Sequence, residues 1–203
     1  MPQILTPSPY KDIVTKLEIG RMNGNIYAEL HKYKHRQPTS VELKESEAYL
    51  KKVIDDSLFK IGEYSLQQGC KEVGCVVPSA YQVQLREDAR NRADFAAHSM
   101  IHTTAVAFGI MYEAMSKKGA VGKKRSKSAA EYEGGRIFFT QRTRAWRLRN
   151  GVMKEWLCDG DNVCDSCQDN EDDGPIPVTE DFASGDTCPP MHINCQCLLS
   201  LIL

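Results

Sequence analysis

The chain has 203 residues, 41% of them hydrophobic, and its 26 basic and 27 acidic side chains leave a formal net charge of −1. That is enough apolar material for one good core, or for a small domain with a helical extension, and it excludes disorder throughout. Near-neutrality excludes a global field that would draw the whole molecule to nucleic acid or a membrane, so any electrostatic partner must meet a local patch.

Residues 1–10 hold prolines and polar groups rather than a basic start followed by an apolar run, which does not read as a signal peptide. No apolar run approaches the ~20 residues of a membrane helix, so the expectation is a soluble protein made in the cytoplasm, without a membrane partner. Ile13, Val14, Leu17 and Ile19 stand near helical spacing, and Gly20 with Asn23-Gly24 predicts a break: a short helix, a turn and a second helix before residue 37. Pro38-Thr39-Ser40 punctuates the chain. Thr39 followed by Glu42 fits a capping box, in which the hydroxyl takes an orphan amide and the glutamate reaches back. Leu43, Leu50, Val53, Ile54, Leu58 and Ile61 then define one apolar helical stripe, and Gly69 supplies a stop.

Residues 70–78 read as a connector, and Ser79 with Gln82 offers another capping pattern. Residues 80–117 are rich in Ala, Met, Gln, Arg and Glu and contain no proline, which predicts one long helix of roughly 55 Å at 1.5 Å per residue. A helix of that length calls for a neighbour along its apolar face. His98 and His102 lie on it at metal-ligand spacing, but the sequence shows no matched carboxylate or cysteine, and they are given no role.

Gly119, Gly122, Gly134 and Gly135, interspersed with Lys123, Lys124, Arg125 and Lys127, make residues 119–135 read as a basic flexible linker. It would divide a helical region, 1–118, from a C-terminal module, 136–203. Lys123, Lys124, Arg125 and Lys127 are candidate contacts for DNA phosphates or an acidic partner; a solvated face is the alternative. Arg142, Arg144, Arg147 and Arg149 form a second basic cluster, with the acidic stretch 159–173 as a candidate partner for Arg147.

Residues 140–150 resume helical spacing through Ala145, Trp146 and Leu148, and Gly151 is placed to cap them. Residues 152–157 and 195–203 read as strands. The stretch between is dense in Asp, Gly and Pro, and so much irregular backbone requires a clasp. The predicted class is α+β and mostly helical: long N-terminal helices, then a small Cys/His-clasped α+β module.

Six of the eight cysteines, Cys158, Cys164, Cys167, Cys188, Cys195 and Cys197, crowd the last quarter. Without a secretion signal, such crowding points to metal before disulfides. Cys164-x-x-Cys167 and His192-x-x-Cys195-x-Cys197 offer five donors for the four places of a zinc tetrahedron. The preferred ligands are Cys164, Cys167, His192 and Cys195, with Cys197 as the substitute, because Cys195 and Cys197 share a face if Cys195 begins a strand. The zinc would be structural; disulfides, or buried cysteines acting as small hydrophobes, are the alternatives. A catalytic zinc needs an open position and a nearby base, and no H-E-x-x-H or H-x-E pattern accompanies the cysteines. Trp156, large and apolar on a predicted strand, is the expected core anchor, and Pro189-Pro190 stiffens the approach to His192.

The order Gly151, Lys154-Glu155-Trp156, Asp161, Cys164-x-x-Cys167, Gly174, Phe182, Pro189-Pro190-x-His192-x-Asn194-Cys195-x-Cys197 resembles the C-terminal signature of the Mu F-like minor head, or head morphogenesis, proteins of tailed phages. That family typically ends in Pro-Pro-x-His-x-x-Cys-Arg-Cys before a final apolar strand; here Gln196 stands at the arginine. The resemblance covers roughly the last third of the chain. Many relatives lack the C-x-x-C, so the metal expectation rests on the cysteines of this chain. The resemblance implies a non-enzymatic structural protein of the virion head, synthesised in the host cytoplasm and acting in head assembly at the portal or inner capsid. Its implied partners are portal and capsid proteins, with nonspecific contact to packaged DNA and several copies per particle. The alternative is a zinc-dependent nuclease or toxin-like effector, since Mu F-like modules can be fused to effector domains.

Overall fold

A computed structural model describes residues 3–33, 38–117, 120–159 and 163–203, leaving aside the side chains of 103–123 and 125. In chain order the elements are β1 (Ile4–Leu5), α1 (Ile13–His31), α2 (Ser40–Val73), α3 (Ser79–Lys117), α4 (Ala120–Trp146), β2 (Met153–Leu157), α5 (Asp165–Asp172), β3 (Ile176–Pro177) and β4 (Leu198–Ile202). The protein is thus α+β and mostly helical, with a small antiparallel sheet of strand order β1-β4-β2-β3. Among the described residues, no helix is long and apolar enough to cross a membrane.

Asp12 starts α1 by accepting the Thr15 N–H at 2.8 Å. The break expected at Gly20 and Asn23-Gly24 does not occur, and the helix runs through. A side chain at Gly20 or Gly24 would meet open space, so each glycine costs only its helix propensity, about 1 kcal/mol. Burying Ile19, Met22, Ile26 and Leu30 offsets that cost, at roughly 2 kcal/mol each. The buried stripe therefore begins at Ile19, and the expected Ile13 and Leu17 are exposed.

The capping box of α2 is present: Glu42 accepts the Thr39 N–H at 2.8 Å, and the Thr39 hydroxyl accepts the Glu42 N–H at 3.3 Å. Leu50, Ile54, Leu58 and Ile61 are fully buried, as their spacing predicts. Gly69 is not the stop. The helix continues to Val73 and ends at Gly74, whose φ of 71° turns the chain so that the Cys75 N–H reaches back to the Cys70 carbonyl at 2.8 Å. Gly69 instead permits close approach to α4, since a β-carbon there would lie 2.8 Å from that of Ala145. The α2 helix is central, packing against α1, α3 and α4.

The flexible linker expected at 119–135 is also overturned. Residues 120–135 form the first part of α4, and Gly119 lies outside the described residues. Two of the glycines that suggested a loop are contact positions: a β-carbon on Gly134 would lie 2.6 Å from Ile19 Cγ1, and one on Gly135 would lie 3.2 Å from Pro190 Cδ. Further along α4, Arg142 and Arg144 turn inward. Arg142 pairs with Glu72 through Nε at 3.0 Å and Nη2 at 2.5 Å, and Trp146 Nε1 donates to the same carboxylate at 2.8 Å. Arg144 pairs with Asp88 at 2.8 Å; Arg147, exposed just past the helix, donates to the Val178 carbonyl at 3.2 Å, and among the described residues it makes no ion pair with the acidic stretch. Lys124 and Lys127 are exposed, Lys127 lying 3.7 Å from Glu131. The side chains of Lys123 and Arg125 lie outside the described residues.

The two expected strands appear as β2 and β4, paired from Met153↔Ile202 to Leu157↔Leu198. The second starts later than expected, so Cys195 and Cys197 precede it. Alternation along β2 turns Lys154 and Trp156 inward, and Trp156 is fully buried, edge-on to Phe182 at 5.2 Å. One continuous core joins Ile19, Leu58 and Phe138 of the helices to Trp156, Phe182 and Leu199 of the module.

Candidate metal centre

Two short structures bring the donors together. Cys164 is the N-cap of α5, and the Cys167 N–H returns to the Cys164 carbonyl at 3.0 Å, so the C-x-x-C wraps the first turn of that helix. Opposite it, a turn closes when the Cys195 N–H donates to the His192 carbonyl at 3.1 Å. Asn194 makes this possible by adopting φ 67°, a left-handed conformation that asparagine tolerates better than most residues. The turn is fixed from behind. Pro189 and Pro190, joined by a cis peptide, are buried, and Arg136 of α4 donates to the Cys188 carbonyl at 2.6 Å and to Asp186 at 2.6 Å.

His192 Nε2 stands 3.2 Å from Cys164 Sγ and 3.5 Å from Cys167 Sγ, and Cys167 Sγ stands 3.8 Å from Cys195 Sγ. Two thiolates on one tetrahedral zinc, each at ~2.3 Å, would be about 3.8 Å apart. The donor atoms form two triads that share Cys167: Cys164, Cys167 and His192, and Cys167, Cys195 and Cys197, with the donors of each triad within 4.8 Å of one another. These groups are close enough to hold a metal ion. All eight cysteines are free, and no sulfur pair among them is at bonding distance.

The electrostatics suit a cation. The Ile193 carbonyl, which can only accept, lies 3.1 Å from His192 Nδ1; this favours a proton on Nδ1, and in the neutral ring it turns the Nε2 lone pair toward the sulfurs. That same contact raises the His192 pKa. The Cys167 N–H, with help from His192, holds the Cys164 thiol below its usual range. Burial pushes Cys167 up, while a hydrogen bond with Cys197, and then burial, do the same to Cys195. Without a cation Cys164 thus gives up its proton more easily than a free thiol and the buried pair less easily; a bound metal would remove that resistance.

The five expected donors, Cys164, Cys167, His192, Cys195 and Cys197, are distributed over these two triads, joined through Cys167. Cys195 and Cys197 reach the cluster from irregular chain rather than from a strand. Cys158 was missed by the spacing argument. Its Sγ donates to the Cys167 carbonyl at 3.2 Å, and its N–H donates to Glu171 at 2.8 Å. The signal is in the sheet register: with Leu157 paired to Leu198, residue 158 falls beside Cys197. Cys188 lies elsewhere, 3.7 Å from the Thr140 hydroxyl. A cleft lined by Tyr10, Lys11, Glu131, Tyr132 and Gln196 opens next to Cys195, whose carbonyl accepts the Tyr10 hydroxyl at 3.4 Å.

Compared with known proteins, the chain matches no family model, no curated protein and no solved structure.

Proposed function

We propose that the cysteine/histidine cluster holds a structural zinc ion, and that the protein is a minor structural component of a tailed-phage head, acting in head assembly at the portal or inner capsid. The zinc assignment rests on the donor set: thiols and an imidazole in two triads that share Cys167, a Cys167–Cys195 sulfur separation of 3.8 Å that matches two thiolates on one zinc, and burial of Cys167, Cys195 and Cys197. With more donors than coordination places, the site has protein groups for every position, which is the character of a structural zinc. The head assignment rests on the resemblance of the C-terminal third to Mu F-like proteins. The element that carries most of that resemblance, Pro189-Pro190-x-His192-x-x-Cys195-x-Cys197, is the half of the clasp that closes on the C-x-x-C.

Metal analysis of freshly purified protein is expected to find one zinc per chain, lost in Cys167→Ser, which breaks both triads, and kept in Cys75→Ser, which lies outside the cluster. No stoichiometric metal, together with a Cys164 sulfur bonded to another sulfur, would replace zinc with a disulfide. Mass spectrometry and imaging of purified heads, with and without DNA, are expected to find the chain in both. Absence from heads and procapsids, combined with a turnover activity lost on changing Cys164 or His192, would favour a zinc-dependent nuclease or effector.

A further inference from the structure

A second group of metal-binding side chains lies on the helical bundle, far in sequence from the clasp. His98 and His102 are one turn apart on α3, their rings 4.0 Å between centroids, and the missing third donor comes from α2. Glu47 presents one carboxylate oxygen to each ring: Oε1 lies 3.0 Å from His98 Nδ1 and Oε2 lies 3.2 Å from His102 Nε2. The three donors lie within 4.8 Å of one another.

We infer that Glu47, His98 and His102 form a surface site for a borderline divalent transition metal such as nickel, zinc or cobalt, bridging α2 to α3. Histidines at i and i+4 project from one helix face and can chelate one ion, and a facing carboxylate completes a three-ligand set. Two imidazole nitrogens select these metals over magnesium and calcium, which prefer oxygen. Fixed neighbours favour the arrangement. Lys51, which could otherwise compete for Glu47, is engaged by Asp94 at 2.5 Å, and both border the cleft that Glu47 and His98 share. The histidine side chains are 63% and 51% exposed, so water fills the remaining coordination positions and the ion exchanges freely. That sets this site apart from the buried clasp, and the inference does not depend on what the clasp holds. Its consequence is local: the ion would tie α2 to α3 beside Met100 and Ile101, which are buried.

The test uses the full-length chain without an affinity tag, titrated with nickel chloride by calorimetry and in parallel by thermal melting. The expected result is one nickel ion per chain with micromolar affinity and a higher melting temperature. His98→Ala and Glu47→Gln should each weaken binding at least about fivefold, or about 1 kcal/mol. Cys167→Ser should leave this nickel site in place. His98 is exposed, so its truncation removes no core contact, and circular dichroism of each variant checks the fold. Binding no tighter than about 1 mM, or affinities in both variants within fivefold of the parent, would overturn the inference.

Discussion

Lys154 is a cation shut away from water. Its Nζ donates to the Thr187 carbonyl at 2.7 Å and lies 4.6 Å from the centre of the Phe182 ring. Burial lowers its pKa from 10.5 to about 8, against the pull of Cys188 and with a further push from Arg147. Between pH 8 and 10.5 the unfolded chain therefore keeps a proton that the folded chain has released. More protons bound in the unfolded state means that this residue's contribution to stability rises with pH across that window, having been a constant penalty below it. Urea unfolding of Lys154→Met beside the parent should show the difference moving in the parent's favour by about 3 kcal/mol from pH 8 to 10.5. A difference that stays flat would mean that Lys154 is solvated. The burial of Lys154 was not legible in the sequence, because a lysine is read as exposed until strand alternation and a covering loop are known. The clasp donors were legible, since both halves lie in short local patterns. Cys158 and Glu47 were not: the first depends on strand register, and the second sits 51 residues from His98.

At the scale of elements, capping and periodicity located α2 and α3 well, while glycine misled. Gly20, Gly69 and Gly134 were all read as punctuation, yet all three lie inside helices, and what distinguishes them is the neighbour each one meets. A Gly134→Val side chain would collide with Ile19, so it should destabilise the protein by about 1–3 kcal/mol. Gly20→Ala, into open space on the same bundle, should stabilise it by up to about 1 kcal/mol. Denaturant midpoints of the two variants check both signs; a neutral Gly134→Val would mean that α1 and α4 are not in close contact. The short β1 and β3 went unseen because two-residue strands leave no period to detect, and their existence depends on partners at β4 and β2.

For the whole molecule, the α+β class and the clasped C-terminal module followed from sequence, whereas the way the parts join did not. Composition suggested a hinge where α4 runs, and only the packing partners of Gly134 and Gly135 explain why the chain is helical there. With Trp156 and Leu58 in one continuous core, the bundle and the module should unfold together. Removing the proposed clasp zinc with a strong chelator is expected to lower the temperature of a single calorimetric transition. Splitting into two transitions, with the upper one unmoved, would show that the bundle is independent of the clasp.

Gly134 and Gly135 are neighbours on α4, yet one is pressed against Ile19 of α1 and the other against Pro190 of the clasp loop. A helix of 27 residues, about 40 Å long, is thus gripped by both ends of the structure at adjacent residues. In mechanical terms α4 is a spar between bundle and module rather than a slack tether. A pull on the module is delivered as shear along the α1, α2 and α4 contacts, so the protein resists force as one stiff body rather than as two beads on a string.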